Sequence, residues 1–348
     1  MRYKHSEYMH WAKTQSRARY NLATSGVGAF PIAELPAVPP VEINGDNSYG
    51  YAPLKEAIAR KCGVDPACVV TADGTSMANH LAFATLLDPG AEVLIEHPTY
   101  GLLLDALQYI GAEIRRFPRR EENGWAVEVD EVRRAVTPKT KLIVLSNLHN
   151  PTSALTPQST LRALGDLGPQ VLVDEVYLDA VYQNTPPTAF QLGPQFVVTN
   201  SLTKIYGVSG LRCGWILAEP DLAQRMRRLN DLFAATPVHP GEVLSVAVLE
   251  QLAVPRERAR RMVEADRQVL REFLDATPSI SAARTDWGTT CFARVDNAEE
   301  FIARLRAQHE TSVVPGRFFE MPDYFRIGMG VNSEMFADAI RRVCACAA

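Results

Sequence analysis

The chain has 348 residues, of which 47% are hydrophobic and 22% charged. That balance excludes disordered and fibrous classes and, at this length, predicts two lobes instead of one core. The net charge is −4, with Lys and Arg scattered and not gathered into a stripe, so no nucleic acid or anionic membrane surface is expected as a partner and a small-molecule substrate is.

The opening stretch, MRYKHSEYMHWAKTQSRARY, is polar and aromatic without the apolar run of a leader. No later segment reaches the apolar length that spans a bilayer, which points to the cytoplasm. The proline-rich LPAVPPVEI that follows reads as an extended crossing between lobes. APLKEAIARKCG then reads as a helix, with Pro53 in its first turn and Gly63 at its end.

From there apolar β-branched runs alternate with amphipathic stretches. ACVVTAD, AEVLIEH, TKLIVLSN, QVLVDEVY, QFVVTNS and RCGWILAE read as strands buried on both faces. TSMANHLAFATLL and TYGLLLDALQYIG read as helices between them, the second closed by Gly111. This pattern predicts a mostly parallel sheet covered by helices. A helical stretch from Pro240 to about Ala276 leads to a part of different character. There GTTCFARVD and DYFRIGMG read as strands, and EEFIARLRAQ and SEMFADAIRRV as helices. The expected division is an N-terminal segment, 1–43, joining the small domain, a large domain over 44–265, and a small α+β domain over 266–348.

Six cysteines occur without a CxxC pair or histidines at metal-ligand spacing, so buried free thiols are expected and no metal is. No GxGxxG or Walker loop supports a nicotinamide or nucleotide reading. His97 and His149 lie beside chemically interesting segments but lack the partner pattern of a triad or metal site.

The most informative segment is Ser201-Leu-Thr-Lys204-Ile-Tyr-Gly207-Val-Ser-Gly210-Leu-Arg212-Cys-Gly214. A lysine amine of lowered pKa condenses with an aldehyde, Ser201 and Arg212 suit phosphate oxygens, and glycines let backbone approach closely. Alone, such a lysine also reads as a solvated loop residue. The segment resembles the signature SxxKxxGxxGxRxG of fold type I, class I/II aminotransferases at every fixed position, and the resemblance runs from about Asn44 through Arg326.

The resemblance implies a type I pyridoxal-phosphate (PLP) transferase fold, with a large domain of seven-stranded type and a small domain formed by the two termini. It implies that Lys204 holds pyridoxal 5'-phosphate as a Schiff base. Asp174, at the end of an apolar strand in VLVDEVY, would pair with the ring nitrogen, and Tyr177 and Asn150 would donate to the ring oxygen. An aspartate helix cap with a packing tyrosine is the plainer reading of that pair. In SNLHNPTS, Leu148 stands where the family pattern has proline and Ser153 where it has glycine.

By the same resemblance Gly74, Thr75 and Ser76 join Ser201 and Arg212 around the phosphate, although in isolation they are an ordinary helix start. Tyr100 would stack on the ring. Arg326 would grip the substrate carboxylate, with Asn150 beside it and Gly26 allowing backbone approach. Tyr49 would reach the phosphate of a neighbouring subunit in a homodimer, with Tyr51 an alternative for that role. Trp11, Arg17 and Arg19 are candidates for the entrance. The expected activity is amino transfer between an L-amino acid and a 2-oxo acid. The alternatives are a lyase or specialised amino-acid-modifying enzyme on the same fold and, more remotely, a non-catalytic cofactor-binding regulator.

Overall fold

The computed structural model describes residues 4–347. A helix α1 (Glu7–Thr14), capped by Ser6, and a two-residue strand β1 (Tyr20–Asn21) precede the extended proline-rich segment. That segment is tied down by Gln251, which accepts from the Ala37 N–H and donates to its carbonyl. Helix α2 (Ala52–Cys62) follows, with proline in its first turn and Gly63 in the left-handed conformation at its end, as the sequence dictates.

Strands β2 (Val69–Asp73), β3 (Glu92–His97), β4 (Glu113–Pro118), β5 (Thr140–Ser146), β6 (Gln170–Asp174), β7 (Phe196–Ser201) and β8 (Cys213–Leu217) form a seven-stranded sheet in the order β2-β8-β7-β6-β5-β3-β4. Only β8 is antiparallel to its neighbours. β4, sequence EIRRFP, was not expected: its arginines mask the apolar run, and it occupies a sheet edge where one face stays wet. QVLVDEVY is strand only to Asp174, after which the chain turns.

Because β5, β6 and β7 run parallel, their carboxyl ends share one edge. Ser146 is in register with Asp174, and Asp174 with Thr199. Helices α3 (Gly74–Leu86) and α4 (Gly101–Ile110) start at that same edge. The carboxyl edge of a parallel sheet, ringed by helix starts, is where α/β folds place ligands.

The stretch from Pro240 to Ala276 is two helices, His239–Glu250 and Ala253–Ala276, interrupted at Gln251 and Leu252. The second helix runs through the expected 265/266 boundary. Its Ala259 and Val263 pack with Val27, whereas Leu270 and Phe273 join a separate core. That core is capped by an antiparallel sheet of β9 (Ile280–Ala282), β10 (Thr290–Val295), β12 (Val314–Pro315) and β13 (Tyr324–Gly328), in the order β12-β13-β10-β9. β11 (Thr311–Ser312) pairs in parallel with β1, so the N-terminal segment is stitched to this part of the molecule. All six cysteines are free. No helix among the described residues is long and apolar enough to cross a membrane.

Candidate active site

Lys204 lies three residues beyond the end of β7 and is half-buried, its Nζ donating to Ser25 Oγ at 2.8 Å. Burial holds the amine below the usual lysine range; the charges of Arg326 and Arg212 add to this and that of Asp174 opposes it. The Lys204 carbonyl accepts from the Val27 N–H at 2.8 Å. A Cβ on Gly26 would lie 2.8 Å from that same carbonyl oxygen. The predicted Gly26 therefore backs the lysine directly.

Lys204 opens into a cavity of about 130 Å3, together with Thr75, Ser76, Tyr100, Asn150, Asp174, Tyr177 and Arg212. A roomier cleft of about 430 Å3, beside Tyr182, Arg267 and Trp287, contains none of these groups. Asp174 is buried, and its carboxylate accepts from Asn79 Nδ2 at 2.9 Å and from the Val176 N–H at 3.1 Å. Burial pushes its pKa up to about 6, with those two donors acting in the opposite direction. Among the described residues no arginine, lysine or histidine forms an ion pair with it.

At the far end of the cavity Thr75 Oγ1 donates to Ser201 Oγ at 2.8 Å, and Ser201 Oγ lies 2.6 Å from Thr203 Oγ1. Arg212 closes this cluster by donating to the Asp73 carbonyl at 3.1 Å. Two glycines make the closure sterically feasible. A Cβ on Gly74, at φ +78°, would lie 2.4 Å from Arg212 Nη2, and one on Gly214 would lie 2.5 Å from the Gly74 carbonyl carbon. Hydroxyls, a guanidinium and the start of α3 thus converge on a cradle suited to a phosphate.

Asn150 is held by a buried relay. Arg119 pairs with Glu96 at 2.8 Å, Ser146 donates its N–H and hydroxyl to Glu96 at 2.8 Å, and the Asn150 N–H donates to Ser146 Oγ at 3.1 Å. Arg326 Nη1 donates to Asn150 Oδ1 at 2.9 Å, which leaves the Asn150 amide hydrogens facing elsewhere. Ser153, in the family pattern's glycine position, adopts φ +62°; its hydroxyl donates to the Thr290 carbonyl at 2.8 Å. His149 is locked between Thr152 Oγ1 and the Pro98 carbonyl, and burial holds its pKa well below the imidazole range.

Tyr177 is buried, and burial raises its hydroxyl pKa. Tyr100 contributes its ring to the wall, with its hydroxyl donating to Met9 Sδ at 3.6 Å. Tyr49 is not brought to this cavity: it is 45% exposed and its hydroxyl faces Asp231. Tyr51 packs edge-on to His239 instead. Trp11 is buried against Phe318 and Arg19 pairs with Glu310 on the surface, so neither lines the cavity; nor does Arg17.

Sequence reasoning missed Asn79, Ser25, Thr203, Tyr8 and Met9. Asn79 carried a signal: it is four residues beyond Thr75 and so shares its face of α3. Tyr8 and Met9 carried none, since only the fold folds α1 back over the sheet.

The family profile for aminotransferase class I and II matches residues 44–343. The chain belongs to the class I and II aminotransferases. It is 29% identical to the arginine–pyruvate transaminase of Pseudomonas aeruginosa, over 86% of this chain and 81% of that one. It is 30% identical to the capreomycidine synthase of Streptomyces vinaceus, over 90% of this chain and 85% of that protein. A crystal structure of a PLP-dependent aminotransferase from Streptococcus suis superposes with a TM-score of 0.93 at 25% identity, covering 99% of this chain and 98% of that one.

As an aminotransferase of this family the protein uses pyridoxal 5'-phosphate, and the site fits that group. It presents a buried lysine amine, a buried carboxylate lacking a cationic partner among the described residues, and a cradle that a Cβ at Gly74 or Gly214 would fill. Those three features answer the aldehyde, the ring nitrogen and the phosphate in turn.

Proposed function

We propose that this aminotransferase moves the amino group of an L-amino acid to a 2-oxo acid, with Lys204 and Asp174 as its central groups. The observation that carries the reading is their convergence in one cavity. There the amine is held below its usual range and the carboxylate is buried with no ion pair among the described residues.

Lys204 would hold the cofactor's aldehyde carbon. Gly74, Thr75, Ser76, Ser201 and Arg212 would hold the phosphate, Asp174 the ring nitrogen, Tyr177 and Asn150 the ring oxygen, and Tyr100 would pack against the ring. When bound, pyridoxal phosphate supplies an electron sink for the charge left by loss of the substrate's α-proton. The chain's own residues do the rest. Asp174, as a carboxylate, stabilises a positive charge opposite it. Arg326 and the Gly26 backbone would fix the substrate carboxylate and so orient the α-carbon. Lys204, its amine held below the usual lysine range by burial, takes up and returns the proton when it is not holding the cofactor.

Exposed Leu232, Phe233 and Val238, beside Tyr49 and Asp231, support a homodimer in which Tyr49 serves the partner's phosphate site. Separate cores on either side of the helix Ala253–Ala276 support a division into segments 1–43, 44–265 and 266–348. A second reading, a specialised amino-acid-modifying enzyme on the same site, rests on the capreomycidine synthase relative.

The test has two stages. Borohydride reduction of the loaded enzyme followed by peptide mapping should fix the label on Lys204. Incubation with a panel of amino acids and 2-oxoglutarate should then yield stoichiometric glutamate. Product formed without any acceptor would favour the second reading, and a label on another lysine would overturn the first.

A further inference from the structure

Helix α1 lies outside every motif that led to the site, yet it delivers a phenol to Arg326 and to the Tyr100 wall of the cavity. Tyr8 is buried, its ring edge-on to Tyr100 at 5.6 Å and to Phe318 at 5.5 Å. Trp11, on the same helix, packs against Phe318 with centroids 5.2 Å apart. The aromatic cluster therefore sets the position of Tyr8 without need of any polar contact.

The hydroxyl of Tyr8 accepts from Arg326 Nη2 at 3.2 Å. A phenol accepts through its lone pairs and donates one proton, and among the described residues nothing accepts this one. Arg326 is likewise incomplete. Nη1 donates to Asn150, Nη2 is shared between Tyr8 and the Thr24 carbonyl at 3.3 Å, and Nε is buried without a partner. The guanidinium is fully buried, faces the Phe319 ring at 5.1 Å, and pairs with no carboxylate among the described residues. A buried cation satisfied only by neutral acceptors, beside a hydroxyl with an idle proton, is complementary to an anion with several lone pairs.

We propose that Tyr8 is a second donor to the substrate's carboxylate: its O–H binds one carboxylate oxygen while its own oxygen keeps Arg326 aimed at the group. The proposal rests on the reading of Arg326 as the carboxylate-binding residue. It makes α1 part of the amino-acid site, with Tyr8 a substrate-contacting residue and Trp11 a positioning residue that acts through it.

Unreactive monocarboxylates test this on the loaded enzyme, because butyrate and hydrocinnamate carry no amino group to react. Calorimetric titration should show Tyr8→Phe binding them roughly tenfold more weakly than the parent, the size expected for one hydrogen bond to a charged group. Hydrocinnamyl alcohol, which lacks the carboxylate, should bind both proteins equally. With amino donors the same variant should raise KM by about tenfold and lower kcat by a smaller factor, because the lost contact acts mainly on binding while a less firmly aimed Arg326 loosens orientation.

Unchanged carboxylate affinity in Tyr8→Phe would overturn the proposal, as would an equal loss for the alcohol, which marks a structural role only. Arg326→Gln separates the two levels. If it abolishes carboxylate binding while Tyr8→Phe does not alter it, the reading of Arg326 stands and the role of Tyr8 falls. If it leaves binding intact, the reading of Arg326 falls. Should Arg326→Gln fail to fold, the comparison of carboxylate with alcohol in Tyr8→Phe still decides on Tyr8.

Discussion

Asn79 donates to Asp174 Oδ2 at 2.9 Å while its own carbonyl oxygen accepts from Thr199 Oγ1 at 2.6 Å. The second bond fixes which end of the amide faces the carboxylate, so an NH2 group always meets Asp174. Replacing Asn79 with Ala removes a donor to a buried charge, a loss of about 1.5–3 kcal/mol. Asp174 should then titrate higher, and the cofactor should dissociate at least about tenfold more readily in equilibrium dialysis at neutral pH. Thr199→Val, which only frees the amide to rotate, should have a smaller effect of the same sign.

The displaced titration of Asp174 has a direct signature in stability. Its pKa is raised from 3.8 to about 6 by burial, so between those values the folded chain keeps a proton that the unfolded chain gives up. The contribution of this group to the cofactor-free protein therefore falls as pH rises from about 4 through about 6, by about 3 kcal/mol in all. Cofactor-free Asp174→Asn should gain on the parent over that window in urea unfolding, whatever constant offset the amide introduces. A difference that does not vary with pH would refute the assignment. With cofactor bound the order should reverse, because the carboxylate then has its partner.

Much of this was legible in advance. The signature around Lys204 and the burial of β5, β6 and β7 follow from short-range patterns: chemistry-bearing residues at fixed spacing, and apolar runs without polar alternation. Asp174, Asn150 and Lys204 meet because parallel strands end on one edge, which the strand pattern already contained. What was not legible came from long-range closure. Tyr8 reaches Arg326 across the whole length of the chain. β4 hid behind its arginines, whereas the break at Gln251 and Leu252 did have a signal in Pro255, which cannot donate to the Gln251 carbonyl four residues back.

Ser153 shows how a departure from a family pattern is accommodated. A left-handed backbone at a non-glycine residue costs roughly 1–2 kcal/mol. Here the hydroxyl offsets it by donating to the Thr290 carbonyl at 2.8 Å and accepting from the Thr290 N–H at 3.3 Å. Ser153→Ala keeps the backbone cost and loses both bonds, whereas Ser153→Gly loses the bonds but relieves the backbone. Thermal unfolding should therefore rank the glycine variant above the alanine variant, with the alanine variant about 1–3 kcal/mol below the parent.

Gly214 is the position at which a single methyl group should act on the phosphate cradle through rigid backbone. Its Cβ would lie 2.5 Å from the carbonyl carbon of Gly74, on backbone that has no side-chain freedom to yield. Gly214→Ala must push β8 away from the start of α3 and spread the cradle that Arg212 closes. Cofactor affinity should fall by at least about tenfold, alongside a stability loss of about 1–3 kcal/mol typical of overpacking. A variant that kept full affinity in a fluorescence titration would show that the cradle is softer than its geometry implies.

The pocket is partitioned along the sequence, and the partition has a genetic consequence. Tyr8, Thr24, Ser25 and Gly26 all belong to the arm pinned by the pairing of β1 with β11, whereas the cradle, the lysine and the aspartate lie between residues 74 and 214. Translation started downstream of residue 28 would keep the cradle, Lys204 and Asp174 in the chain, strip Lys204 of its Ser25 and Val27 contacts, and delete half of amino-acid recognition. The product would be a coloured protein that turns over almost nothing, and an affinity tag fused to this end sits nearer to catalysis than one fused to the other.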